Sequence, residues 1–370
     1  MSDQTIVYPL RPRGMLPYGS RIALTPLAWL YGAAANAVRA VGVLERMPTP
    51  DNVTVISVGN LEVGGNGKTP FCMYLLDEIR RRGAGAVFVS RGFRSRAERF
   101  GGVTIVAGQP LDPSPAPGTR QLNRSVRDLS EEIGDEPALV ADRYHDVPLV
   151  VGSDKRAAMK IAVSLFAPDY VILDDAFQSW TLGRDVDVVL LDASRPFGGG
   201  SLLPSGSLRE EPAALERADV VLFNGAATES AVESARRVVF QETGLRPPAA
   251  GVSRRLRVDF EPGARVVALS AIARPQAFEA MLGEAGFDVA LAIRYPDHHS
   301  YCALDIKQIR RLAMDARCES IVTTEKDRVK LSVFGLEEPE MRCACLEIRL
   351  TNDAILEKIL KPRTTSAASV

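Results

Sequence analysis

SVGNLEVGGNGKTP (57–70) continues an apolar, β-branched run that starts at Val53, then breaks into glycines just before Lys68 and Thr69. A strand that opens through a glycine-rich turn into a helix is a phosphate cradle. Gly64, Gly65 and Gly67 let backbone N–H groups turn inward with no Cβ in the way, Lys68 can reach the terminal phosphates, and the Thr69 hydroxyl can hold Mg²⁺ at a helix N-terminus. The expected ligand is a nucleoside triphosphate. The spacing is irregular: the common pattern G-x-x-x-x-G-K-[ST] has glycine six residues before the lysine, where this chain has Glu62. A related variant carries a second lysine before its paired glycines, and Val63 occupies that position here.

Downstream of the loop, short aliphatic runs alternate with helical stretches. A helix is expected over 71–82, a buried strand in GAVFVSRGF (85–93), a helix over 156–166, and further strands in YVILDD (170–175), DVDVVLLDA (185–193) and ADVVLF (218–223). Strands of this kind separated by helices imply an α/β fold with a mostly parallel sheet covered on both faces. LDPSPAPG (111–118) is too rich in proline for regular structure and is expected as a surface loop. The texture changes near 256, where a smaller α/β unit begins. We therefore expect two α/β units: an N-terminal helical segment over 1–48, a phosphate-loop domain over 49–225, a linker over 226–255 and a smaller domain over 256–363, ending in a frayed polar tail.

Composition narrows the partners. Hydrophobic residues at 46%, charged residues at 25% and a formal net charge of -1 describe an ordinary folded protein, with no global basicity to attract nucleic acid. The five cysteines lack paired C-x-x-C spacing, which supports neither a disulfide framework nor a zinc site and fits a reducing compartment. From 22 to 38 the chain runs 17 residues without a charge, between Arg21 and Arg39. A membrane-spanning helix needs about 20 apolar residues, so the reading is an interfacial helix, with Trp29 and Tyr31 at the headgroups, or else a buried core helix.

Four clusters could carry chemistry. YVILDD ends in Asp174 and Asp175, where a parallel sheet presents its ligand crevice, and phosphoryl transfer needs such hard anionic ligands for Mg²⁺; the pair could equally cap the next helix. Gly134-Asp135-Glu136-Pro137 holds an acidic pair where a loop is expected. There Asp135 could orient or deprotonate an attacking hydroxyl, or simply start a helix. YPDHHSY (295–301) contains two of the three histidines; adjacent histidines make a poor metal pair, so one acting with a carboxylate such as Asp135 is the better reading. GGGSLLPSGSLRE (198–210) ends in Arg209, a potential phosphate clamp, and Glu210.

In this order and spacing, these segments resemble the tetraacyldisaccharide 4′-kinase family, which phosphorylates the lipid A precursor disaccharide of Gram-negative bacteria. The resemblance runs through PLAWLYG (26–32), the phosphate loop, SRGF (90–93), GDEP (134–137), LDDAFQ (173–178), RDVDVVLLDA (184–193), LLPSGSLRE (202–210), PDHH (296–299) and TEKD (324–327). It implies an ATP site at Val63, Gly64, Gly65, Asn66, Gly67, Lys68, Thr69 and Pro70, with Asp135 as catalytic base and His298 as its partner. It implies Mg²⁺ near Thr69, Asp174, Asp175 and Glu210, and substrate contacts at Glu136, Gln178, Arg209 and a basic residue for which Lys155 and Arg156 compete. It also implies two α/β/α domains with the active site between them, and a hydrophobic N-terminal helix on the cytoplasmic face of the inner membrane. Ala176, Ser179, Phe93 and the FGGG and LPSGSLRE loops depart from the family's usual residues, which bears on acyl-chain or sugar preference rather than on the phosphate loop. Read from the residues alone, the alternatives are a phosphate-loop kinase or ligase with a small soluble substrate, or a nucleotide-driven membrane switch; switch proteins of this loop type often carry lysine where Val63 stands.

Overall fold

The structure, a computed structural model, describes residues 4–8, 24–64, 67–107, 118–123, 128–258, 261–334 and 340–363. The expected loop over 111–118 and tail over 364–370 lie outside it except for Gly118, as do the arginines before Ile22. In chain order the first strands are β1 (Gln4–Val7), β2 (Thr54–Gly59), β3 (Ala86–Ser90), β4 (Val103–Ala107), β5 (Thr119–Asn123), β6 (Leu149–Gly152) and β7 (Tyr170–Asp174). They are followed by β8 (Val186–Asp192), β9 (Val220–Asn224), β10 (Ala249–Val258), β11 (Arg265–Ser270), β12 (Asp288–Arg294), β13 (Ser320–Thr324) and β14 (Glu340–Leu350).

These strands form one sheet in the order β1-β12-β11-β13-β14-β10-β9-β8-β2-β7-β3-β6-β4-β5. All neighbours run parallel except β4 with β6 and β10 with β14. The central strands are buried on both faces, which is why they read as unbroken apolar runs rather than alternating ones. Alternate residues of β2 serve opposite sides: Ile56 and Val58 join Phe71, Leu75, Phe88 and Ile172, while Val55 packs with Val87, Val89, Val171 and Leu173.

One segment differs from the sequence reading. Residues 226–255, expected as a linker, contain the helix Glu229–Thr243 and the first part of β10. β10 pairs with β9 through Ala249–Val252 and with β14 through Val252–Val258, so one strand carries the sheet from the first half of the chain into the second. Its far portion is only partly buried, and three arginines in SRRLRV obscure the strand signal.

The apolar N-terminal stretch is a helix, Thr25–Leu44, long and apolar enough by composition to cross a membrane, and only Ala28 and Gly42 are buried along it. It is therefore not a core helix. Trp29 is 78% exposed, Leu30 67% and Leu44 87%. Gly42 lets the helix rest closely on the body, since a Cβ there would lie 2.6 Å from Cβ of Trp180.

Phe88, fully buried in β3 beneath the helix Lys68–Arg81, tests whether this layer is the main source of stability. Phe88→Ala is expected to lower unfolding free energy by about 3–5 kcal/mol, read as a shifted urea midpoint with an unchanged m-value.

Candidate active site

β2 and β7 lie side by side with Val58 opposite Asp174, so the phosphate loop and the acidic strand end emerge together. Gly67, at φ +82, caps the helix Lys68–Arg81; a side chain there would strain the turn. Gly65 and Asn66 lie outside the described residues, while Gly64, Lys68, Thr69 and Pro70 line a cleft of about 1890 Å³. Lys68 Nζ donates to Asn60 Oδ1 at 3.1 Å and pairs with Asp175 at 3.4 Å.

The irregular loop spacing has a structural use. Glu62, where the common pattern has glycine, is buried, and its Oε1 accepts from Ser207 Oγ at 2.7 Å. Val63 N–H donates to Ser207 O, and Arg209 N–H to Leu61 O. These contacts lay the 198–210 loop along the phosphate loop and bring Arg209 to Asp175, whose two oxygens it meets at 2.9 and 3.0 Å.

The two strand-end carboxylates titrate apart. Asp174 is pushed up to about 6, first by burial and then by the Asp175 charge. Its Oδ2 accepts from Ser90 Oγ at 3.3 Å, while the buried Oδ1 has no hydrogen-bond partner among the described residues. Asp175 is only partly buried; its desolvation by itself would raise it, but Lys68, Arg209 and Lys155 outweigh that and hold it at about 2. Lys155 opens the helix Lys155–Phe166, where a cation opposes the helix dipole. Its Nζ turns back to the carbonyl oxygens of both Asp174 and Asp175, 2.6 Å from each, and burial brings it down to about 8. Asp175 and His298 both adopt left-handed backbone, at φ +48 and +65, an uncommon conformation held by these surroundings.

The second cluster joins Asp135, from the first half of the chain, to side chains from the second half. Asp135 is the first residue of the helix Asp135–Arg143; Gly134 takes the cap position, so the aspartate side chain is free of capping. His298 Nδ1 lies 2.8 Å from Asp135 Oδ2, Lys330 Nζ 2.7 Å and Lys326 Nζ 3.5 Å. Burial would raise this carboxyl, yet the hydrogen bond from His298 and the two ammonium groups hold it well below the usual carboxylate range. Lys326 also reaches Glu136 at 3.2 Å. His299 faces away: its Nε2 meets Asp305 at 3.0 Å and its ring stacks on Tyr295.

Most expected site residues converge. Val63, Thr69, Glu136, Asp174, Asp175, Gln178, Arg209 and His298 line the same cleft as Lys68. Glu210 stands behind them, paired with Arg217 at 3.0 Å and accepting from Gln178 Nε2 at 2.9 Å. Of the competing basic residues, Lys155 is committed to backbone carbonyls, and Arg156 is partly exposed at the cleft wall, 3.9 Å from Asp154.

Sequence reading gave no role to Lys326, Lys330 or Ser90. The signal for the lysines was their i, i+4 spacing beside TEKD, which places both on one face of the helix Glu325–Leu331.

For a hard cation, the partnerless Oδ1 of Asp174, the neighbouring Asp175 and the Thr69 hydroxyl form a compatible donor set. Among the described residues no group of three or more His, Cys, Asp or Glu side chains gathers to hold a metal. That sparseness suits Mg²⁺, which keeps waters and phosphate oxygens in its shell.

A family profile described as tetraacyldisaccharide-1-P 4′-kinase matches residues 20–365. The chain is 36% identical to a tetraacyldisaccharide 4′-kinase of Syntrophus aciditrophicus, covering 75% of each sequence. It is 34% identical to one of Geobacter metallireducens, covering 92% of this chain and 94% of that one. A crystal structure of LpxK from Aquifex aeolicus in complex with ATP aligns with a TM-score of 0.67 at 27% identity, over 92% of this chain and 98% of that one.

The raised Asp174 carries a stability cost that can be measured. Its folded form titrates near 6 and its reference form near 3.8, so the folded state binds more protons in that window and stability falls as pH rises through it. Asp174→Asn is expected to unfold at higher temperature than wild type near pH 7.5, by the equivalent of about 1–3 kcal/mol. The difference should vanish below about pH 4. Thermal melts at both pH values check this, and a less stable variant near neutrality contradicts it.

Proposed function

Because the chain belongs to the tetraacyldisaccharide 4′-kinase family, we propose that the cleft transfers the γ-phosphoryl group of ATP to the 4′-hydroxyl of an acylated glucosamine disaccharide 1-phosphate, in the roles that follow. The enzyme is an ATP-dependent kinase of lipid A biosynthesis. Carrying the mechanistic reading is the convergence on one cleft of Lys68 and Asp175 from the first half of the sheet with His298 from the second, the latter 2.8 Å from Asp135.

The phosphate loop and Lys68 hold the triphosphate. Thr69, Asp174 and Asp175 would hold Mg²⁺, which on binding neutralises phosphate charge, while Glu210 acts from behind through Gln178. Asp135 Oδ2 is engaged by His298 and Lys330, which leaves Oδ1 to accept a hydrogen bond from the sugar hydroxyl. The hydroxyl oxygen bonds to the γ-phosphorus as the bridge to the β-phosphate breaks, and its proton passes to Asp135. An aspartate surrounded by cations is a weak base. That suits a loose phosphoryl transition state, in which positioning matters more than early deprotonation. Glu136, Arg156 and Arg209 line the cleft where sugar and phosphate would sit.

The helix Thr25–Leu44 supports action at a membrane. Its exposed apolar side chains suit the acyl–headgroup boundary of the inner membrane's cytoplasmic face. Val38 and Gly42 also line the catalytic cleft, so a substrate held in that boundary would meet the site beside the helix. A small soluble substrate would leave this exposed face without a use.

Asp135→Asn is expected to reduce transfer from labelled ATP to the disaccharide monophosphate by about 10²–10⁴-fold while nucleotide binding persists. Wild-type turnover in that variant removes Asp135 as the base. Trp29→Glu with Leu30→Glu, both at exposed positions, should leave the melting temperature unchanged and abolish co-sedimentation with anionic phospholipid vesicles.

A further inference from the structure

A cation with two enclosed nitrogens that lack a hydrogen-bond partner among the described residues stands against the phosphate loop. Arg254 lies on β10, two residues past the last pairing with β9, where that edge of the strand opens toward the cleft. Its Nε and Nη2 are buried without a hydrogen-bond partner among the described residues. The guanidinium rests against Gly67, where a Cβ would collide with Nη2. Its charged neighbours are Arg274, which repels it, and Asp192, whose carboxylate Arg274 already engages at 2.9 Å. Burial and Arg274 together lower its affinity for its proton.

An orphaned guanidinium is costly inside a protein, and such groups are retained where an anion completes them. Gly67 marks where loop N–H groups face the inner phosphates of a bound nucleotide. A guanidinium has the planar fork that meets two phosphate oxygens at once.

We propose that Arg254 is a nucleotide-binding residue that grips the phosphates retained in ADP, reaching them from β10 beside Gly67. This rests on the reading that the phosphate loop holds ATP. ATP and ADP are then gripped alike, and the leaving diphosphate is neutralised by both Lys68 and Arg254. Nucleotide binding also ties β10, which joins the two halves of the sheet, to the helix Lys68–Arg81.

The test uses the full-length protein and two variants, Arg254→Met and Arg254→Gln, with calorimetric titration of ATP and ADP and thermal melts with and without nucleotide. Both variants should melt at or above wild type without nucleotide, because a guanidinium with two enclosed, partnerless nitrogens is gone. Both should bind ATP and ADP about 10- to 100-fold more weakly and lose most of the nucleotide-induced rise in melting temperature. If Arg254→Met does not fold, Arg254→Gln, which keeps a polar end, decides by the same readouts. Variants that melt lower without nucleotide yet bind ATP and ADP as wild type does would make Arg254 structural and overturn the proposal. A wild-type protein whose melting temperature ATP does not raise would instead overturn the phosphate-loop assignment beneath it.

Discussion

The pairing of β2 with β7, parallel and with Val58 opposite Asp174, is the contact on which the rest of the site depends. It brings a glycine-rich turn and an acidic strand end out of the same edge of the sheet. The Lys68 ammonium thereby comes within 3.4 Å of Asp175. Such a charged edge is stable only because its charges are shared out. Lys155 reaches back to both strand-end carbonyls, Arg209 meets Asp175, and Asp174 gives up its proton only near pH 6. Removing one of these cations would leave a carboxylate uncompensated, a costlier fault than the loss of the bond itself.

Three carboxylates of the two clusters are kept in different electrostatic conditions. Burial dominates at Asp174 and raises it, whereas cations dominate at Asp175 and Asp135 and depress them. The contrast separates a carboxyl left short of positive charge from two that are held ionised by it. Asp135 owes its ionisation to residues far away in sequence, His298, Lys326 and Lys330, so this cluster also fastens the two halves of the sheet together.

Much of the site was legible in the chain because local rules write it. Glycines before Lys68-Thr69, acids ending an apolar strand and an aspartate beside Glu-Pro are each confined to a few adjacent residues. What escaped was non-local. Glu62 looked like a defect in a loop pattern until Ser207 was seen to hold it, and the arginine-rich β10 looked like a linker because half of it is only partly buried. Lys330 and Arg254 are ordinary surface residues by composition, and their burial beside Asp135 and Gly67 follows from sheet order alone.

The chain by itself therefore determined the α/β class, the phosphate-binding turn, the acidic strand end and the apolar N-terminal helix, since each depends on residue type and on spacing within one element. Tertiary structure decided the rest: that one sheet joins both halves, that the helix Thr25–Leu44 lies exposed rather than in a core, and which of two histidines faces Asp135. The physical reason is that burial and charge compensation belong to sets of side chains. Those sets form only when strands distant in sequence lie side by side.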